Sequence, residues 1–243
     1  MAEKLPLHIL AGRGDVAERV VVAGDPARVR QLAGYLEGAR LVNENRGFLV
    51  YTGNWKGTPV TVATHGIGGG SASIVFDELA MLGAKIMVRM GTCGAMVPEL
   101  NVGDVVIPTG ASYKEGGTIG WYFPGDCTAA VPDYEVLNAL VEQARKYGLK
   151  HLVGPVVSSD YFYVDIDEFV KTWRPRGAIA VEMECATLFT LARYRGFKAG
   201  ALLVVSDATL VKKEWELATA EDLKSAVDKA SRAVFDAIVS VSV

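Results

Sequence analysis

The chain has no uninterrupted apolar run approaching the roughly 18 residues that a membrane-spanning helix requires. Its opening, MAEKLPLHIL, lacks the basic region, apolar stretch and small-residue cleavage site of a secretory signal, so a cytoplasmic protein is expected. Neither sign of charge dominates. With 25 Lys+Arg against 28 Asp+Glu the formal charge is −3, which leaves no basic surplus for nucleic acid. The three cysteines, Cys93, Cys127 and Cys185, are odd in number and widely spaced, which provides neither a disulfide framework nor a zinc signature. They are expected to be reduced and mostly in the core. The three histidines, His8, His65 and His151, stand apart from any carboxylate at ligand spacing, so no metal site is expected. G-x-x-x-x-G-K-[ST], G-x-S-x-G, C-x-x-C and H-E-x-x-H are all absent, which removes P-loop hydrolases, serine hydrolases of the nucleophile-elbow type, dithiol enzymes and zincins. Linker-like tracts, repeats and charge blocks are missing too, and one domain over 1–243 is the expectation.

What is present is an alternation of short β-branched runs with longer helical patterns, the sequence form of a sheet covered by helices on both faces. The strand candidates are 20–23, 48–51, 60–64, 85–90, 104–109, 152–158 and 199–206; the helix candidates are 71–82, 133–147, 166–173, 183–194 and 220–239. The last helix is the clearest, because Leu223, Val227, Ala230, Val234 and Ile238 recur at spacings of three and four along one face. The stretch 116–132 reads as a long surface loop.

The informative residues fall at the ends of these strands, where open α/β sheets place their ligands. Gly24-Asp25-Pro26-Ala27-Arg28 outlines a phosphate cradle: a glycine admits a backbone N–H to an anion, a proline opens a helix and an arginine lies in its first turn. A plain turn with a solvated arginine is the bland reading. Arg89 ends an apolar strand before an expected Gly91-Thr92-Cys93-Gly94 turn, and a cation in such a strand implies a bound anion or a buried acid. Arg46 is a further cation between two strands, with a surface ion pair as its ordinary explanation.

Glu182 and Glu184 flank Met183 where a strand runs into a helix, and a carboxylate there can accept from the vicinal hydroxyls of a ribose. Helix starts favour acids in any case, which would account for one of the two. Ser206-Asp207 closes the last strand. Partial burial should raise the aspartate and leave it a proton to donate, whereas as a lone residue it could equally cap the next segment. The segment His65 to Ser71 half matches a dinucleotide fingerprint, but Ser71 occupies the third glycine position and no acid ends the following strand. A glycine turn for close packing explains it without a nicotinamide cofactor.

Taken together, His8, GDPAR at 24–28, NENRG at 43–47, THGIGG at 64–69, RMGTCGA at 89–95, SSDYFY at 158–163, VEMECA at 181–186 and VSD at 205–207 resemble the hexameric purine nucleoside phosphorylase and methylthioadenosine phosphorylase branch of the nucleoside phosphorylase superfamily. The likeness spans nearly the whole chain, and several of its motifs look closest to archaeal methylthioadenosine phosphorylases. It implies a single α/β domain with a mixed central β-sheet, partly barrel-like and flanked by helices. It further implies reversible phosphorolysis of purine nucleosides by a homo-oligomer, a hexamer built as a trimer of dimers, with phosphate as co-substrate and no cofactor.

Residue by residue, the resemblance assigns phosphate to Gly24, Arg28, Arg89 and Thr92, with Arg46 reaching in from a neighbouring subunit. Glu184 would take the ribose 2′- and 3′-hydroxyls over Met183. His8, also from the neighbour, and Tyr163 would line the 5′ side. Phe162 would stack on the base beside Cys93, Gly94 and Glu182, and Asp207, set by Ser206, would protonate purine N7. Two positions depart from the pattern. No arginine follows the aspartate in 211–222, which leaves Lys212, Lys213 and Lys224 as candidates to activate it, and Thr92 stands where serine is usual. A uridine phosphorylase is the alternative within the superfamily, but the glutamine and arginine that would read a pyrimidine edge are missing near Phe162. A hydrolytic nucleosidase would need no arginine triad, and a non-catalytic nucleoside-binding protein would need no Asp207.

Overall fold

Strand β1 (Arg19–Ala23) sends Val20 and Val22 to one face and Val21 and Ala23 to the other, and that alternation divides the interior in two. Val20 and Val22 join a core with Phe76 and Leu79 of helix α2 (Gly69–Met81) and Leu188 and Phe189 of α6 (Cys185–Arg195). Val21 and Ala23 join another with Leu32 of α1 (Pro26–Ala33), Leu140 of α4 (Tyr134–Lys146) and Phe235 of α7 (Ala220–Ser240). The expected stripe on α7 is buried along its length, from Leu223 to Ile238. This computed structural model describes residues 5–208, 211 and 218–243; Lys212 and Lys213 lie outside them.

The remaining strands are β2 (Glu37–Asn43), β3 (Val50–Trp55), β4 (Thr58–Thr64), β5 (Ile86–Ala95), β6 (Val105–Ser112), β7 (His151–Ser158), β8 (Ala180–Glu182) and β9 (Lys198–Asp207). They form one nine-stranded mixed sheet in the order β2-β3-β4-β1-β5-β8-β7-β6-β9. Because β9 also pairs with β5, the last five strands close into a barrel-like ring, and the others extend from it as an arm.

One edge of β5 is shared between two partners, and this makes the site. β1 runs parallel to it from Arg19↔Ile86 to Val22↔Arg89, while β8 runs antiparallel at Gly94↔Val181 and Ala95↔Ala180. Their carboxyl ends therefore point toward each other along β5 and stop on either side of Met90–Cys93. Such a point, where neighbouring strands diverge, is where a sheet of this kind opens a crevice.

Several expectations need correction. Gly91-Thr92-Cys93-Gly94 is strand rather than turn, since β9 pairs with it from Gly91↔Leu203 to Gly94↔Asp207. Its glycines serve packing: a Cβ on Gly91 would sit 2.1 Å from Nη1 of Arg89. The stretch 116–132 is not all loop, because α3 (Gly117–Tyr122) buries Ile119 and packs on α2 and α6. Strands β2 and β8 have no counterpart among the candidates. The first five residues of β2 are exposed and show no alternation, and β8 has only three residues. Helix α5 (Ile166–Trp173) matches its expected bounds, with the Asp165 side chain accepting from Glu168 N at 2.9 Å. Among the described residues no helix is long and apolar enough to cross a membrane.

Candidate active site

At the end of β1 the chain turns at Gly24 and enters α1 through Asp25, whose side chain accepts from Ala27 N at 2.8 Å, with Pro26 opening the helix. A Cβ on Gly24 would stand 3.0 Å from the carbonyl oxygen of Gly66, so glycine lets the ends of β1 and β4 close up. Arg28 projects from the first turn of α1. Its Nη1 is buried without a hydrogen-bond partner, and burial pulls the guanidinium below its ordinary value.

Arg89 lies across the crevice on β5 and is 5% exposed. Its Nη2 donates to Oε2 of Glu184 and lies 3.6 Å from Oε2 of Glu182. Nε and Nη1 are buried with no partner. Burial pulls this guanidinium down as well, but the charges of Glu184 and then Glu182 outweigh it and hold it above the ordinary arginine value. Two arginines of one cleft thus keep buried, unsatisfied donors, an arrangement that costs free energy unless a partner completes it.

Glu184 immediately precedes α6. Its other oxygen, Oε1, accepts from Gly68 N at 2.6 Å at the start of α2. Burial pushes this carboxyl up, but Arg89, His65 and the Gly68 amide bring it below its usual value, so it is ionised at neutral pH. His65 lies behind the pair, fully buried, with neither ring nitrogen partnered. Burial first, and then the Arg89 charge, take its imidazole down to about 4. It is neutral, and Arg89 is left as the cation facing Glu184.

These groups open on a cleft of about 570 Å³. All four residues expected to hold phosphate within one chain, Gly24, Arg28, Arg89 and Thr92, line it. So do Cys93, Gly94, Phe162, Glu182, Met183 and Glu184 from the expected nucleoside side, and Ser206 and Asp207 at the far end of β9. The Asp207 carboxylate is opposite Gly94, where a Cβ would come within 3.2 Å of both its oxygens. Ser206 Oγ is 3.4 Å from Oδ2 of Asp207 and 3.4 Å from the carbonyl of Cys93. Cys93 and Cys185 are buried, and burial raises both thiols, so neither is a thiolate; Cys127 is exposed.

Three expected residues do not line this chain's cleft. His8 is held by Glu78, its Nδ1 2.7 Å from Oε1, and its carbonyl accepts from Asn45 Nδ2 at 3.0 Å. That bond ties the amino-terminal segment to the turn carrying Arg46, which is exposed and has a left-handed φ of 55°. His8 and Arg46 therefore travel together. Tyr163 is 76% exposed and packs edge-on against Phe162, with centroids 5.2 Å apart. Lys224 is exposed on α7.

An apolar wall, not expected from the sequence, completes the cleft. Ile67, Val164, Ile166 and Phe169 also line the cleft. The only signal for them was the apolar face of α5 and an isoleucine set among glycines, neither of which marks a ligand by itself.

Comparison with known proteins gives a consistent result. The sequence model described as the phosphorylase superfamily matches residues 18–240. Guanosine phosphorylase of Halorubrum lacusprofundi is 38% identical over 239 residues, covering 96% of this chain and 98% of that protein. Purine nucleoside phosphorylase DeoD-type of Geobacillus kaustophilus is 39% identical over 212 residues, covering 86% and 89%. Uridine phosphorylase of Thermococcus kodakarensis is 33% identical over 248 residues, covering 88% and 89%. Among solved structures, uridine phosphorylase from Vibrio fischeri ES114 superposes with a TM-score of 0.88 at 26% identity, covering 99% of this chain and 100% of that one.

Proposed function

The chain belongs to the phosphorylase superfamily, and on that premise we propose that it catalyses the reversible phosphorolysis of purine nucleosides to free base and ribose 1-phosphate. The observation that carries this reading is the pairing of unpartnered, buried guanidinium nitrogens on Arg28 and Arg89 with the ionised Glu184 in one cleft. Cleaving the glycosidic bond builds positive charge on the sugar and negative charge on the base. A catalyst gains by placing an anion under C1′ and an acid at the base.

In this scheme the Gly24 turn, Arg28, Arg89 and Thr92 seat phosphate in line with C1′, and its charge stabilises the developing oxocarbenium ion. Glu184 takes the 2′- and 3′-hydroxyls, Met183 packs under the sugar and Phe162 stacks on the base. Cys93, Gly94 and Glu182 stand beside it, and Asp207 protonates N7 with Ser206 setting its orientation. No cofactor enters. Arg46 and His8 serve a neighbouring subunit, with Tyr163 on the 5′ side. Supporting that reading, the segment around His8 exposes Leu5, Leu7 and Leu10 at 73%, 73% and 65%, apolar surface suited to a subunit contact. We extend the proposal to a cytoplasmic hexamer built as a trimer of dimers that also accepts 5′-methylthioadenosine.

The purine and pyrimidine branches are both represented among the relatives. The purine reading is favoured because 158–165, around Phe162, contains no glutamine or arginine to read a pyrimidine edge, whereas Asp207 suits a purine N7. A panel of inosine, guanosine, adenosine, 5′-methylthioadenosine and uridine at matched concentration tests it. A purine nucleoside should lead; uridine turning over fastest would move the protein to the other branch.

A further inference from the structure

Glu184 occupies the position immediately before α6, where a short polar side chain ordinarily folds back to accept from the amides of the first turn. It makes no such bond, because its two oxygens are engaged by Gly68 N and Arg89. The amides at this helix start are instead taken by side chains at the ends of two strands. Glu182 Oε2 accepts from Glu184 N at 2.8 Å and from Cys185 N at 2.9 Å. Ser158 Oγ accepts from Ala186 N at 2.8 Å and donates its own proton to Glu182 Oε1. Ser158 ends β7, Glu182 ends β8, and the two are register partners. Ser159 N donates to the Glu182 carbonyl at 2.8 Å, which ties the strands together at that level. The Glu182 side chain has no exposed surface, and Ser158 is not among the cleft-lining residues.

We infer that Ser158 is a positioning residue for sugar recognition: with Glu182 it caps α6 in place of Glu184, and this keeps the Glu184 carboxylate turned to the cleft. The inference rests on the reading above in which Glu184 binds the ribose hydroxyls. Its physical content is a competition. The Ala186 amide held by Ser158 is the one a side chain at position 184 would otherwise take, so removing the serine hydroxyl draws Glu184 back toward its own helix and away from the sugar.

The test compares inosine with 2′-deoxyinosine in the full-length enzyme carrying Ser158→Ala, Ser158→Thr or Glu184→Gln. Ser158→Ala should lower kcat/KM on inosine about tenfold, equivalent to one lost hydrogen bond to a charged group, with a much smaller loss on 2′-deoxyinosine. The KM for phosphate should stay within twofold, and Ser158→Thr, which keeps the hydroxyl, should restore the inosine preference. An equal loss on both nucleosides, or no rescue by threonine, overturns the inference and leaves Ser158 a fold residue only. If Glu184→Gln leaves the ratio of the two substrates unchanged, the ribose assignment of Glu184 fails first. If Glu184→Gln collapses the ratio but Ser158→Ala does not, the assignment stands and the positioning role falls. Should Ser158→Ala not fold, Glu182→Gln weakens the same cap at constant shape and is read by the same ratio.

Discussion

Arg89 and Glu184 are 95 residues apart in the chain, yet they form a buried hydrogen-bonded ion pair that joins the middle of β5 to the start of α6. Each holds the other in its charged form against burial. Breaking such a pair by removing one partner is costly, because a desolvated charge is left behind. Glu184→Gln should therefore destabilise the fold by about 3 kcal/mol, read as a lower urea midpoint at an unchanged m-value. Midpoints that coincide would mean that water or Glu182 already satisfies Arg89.

Asp207 is assigned the proton that leaves with the base. Replacing it by asparagine keeps the shape and removes the acid, so kcat on inosine should fall by about a hundredfold to ten-thousandfold while inosine still binds. A calorimetric titration alongside steady-state rates separates the two effects. Unimpaired turnover would take Asp207 out of the mechanism.

His65 makes the fold sensitive to acid. Its folded value is depressed from 6.5 to about 4, so between those pH values the unfolded chain binds a proton that the native state refuses. Stability from this group is intact above pH 6.5 and is lost as pH falls through the window, reaching about 3 kcal/mol at its lower end. Chemical denaturation at pH 7 and pH 4.5 should show a smaller acid loss in His65→Gln than in the parent. Equal losses would show that the imidazole titrates normally.

Arg46 is proposed to act in a neighbour's site, which complementation can reveal. Arg46→Ala and Asp207→Asn should each be impaired alone, and subunits of both, mixed after dissociation, should recover activity because some sites then carry both native residues. Recovery that never exceeds the sum of the parts would assign Arg46 to its own chain.

The layered α/β arrangement was legible because strand and helix periodicities are local, and α7 shows how well an apolar stripe reports a buried face. The strand ends were legible too, since Gly24, Glu184 and Asp207 are chemically conspicuous where a core should finish, whereas Arg89, expected to end its strand, lies in the middle of β5. The course of β5 was not. Gly91-Thr92-Cys93-Gly94 has the composition of a turn and becomes strand only because β9 pairs with it from 110 residues or more away in sequence. Ser158 was hidden for a related reason: a serine ending a strand has no local mark of capping a helix that starts at Cys185. The apolar wall around Phe169 reads as ordinary core until the crevice beside it is known.

In the proposed reaction the arginine-lined crevice uses phosphate as the nucleophile. The most direct measurement is ³¹P NMR of the purified protein with inosine and inorganic phosphate, followed to completion, beside a sample without phosphate. The prediction is one ribose 1-phosphate formed for each hypoxanthine released, and no release in the phosphate-free sample. Hypoxanthine appearing with free ribose, at a rate indifferent to phosphate, would contradict it.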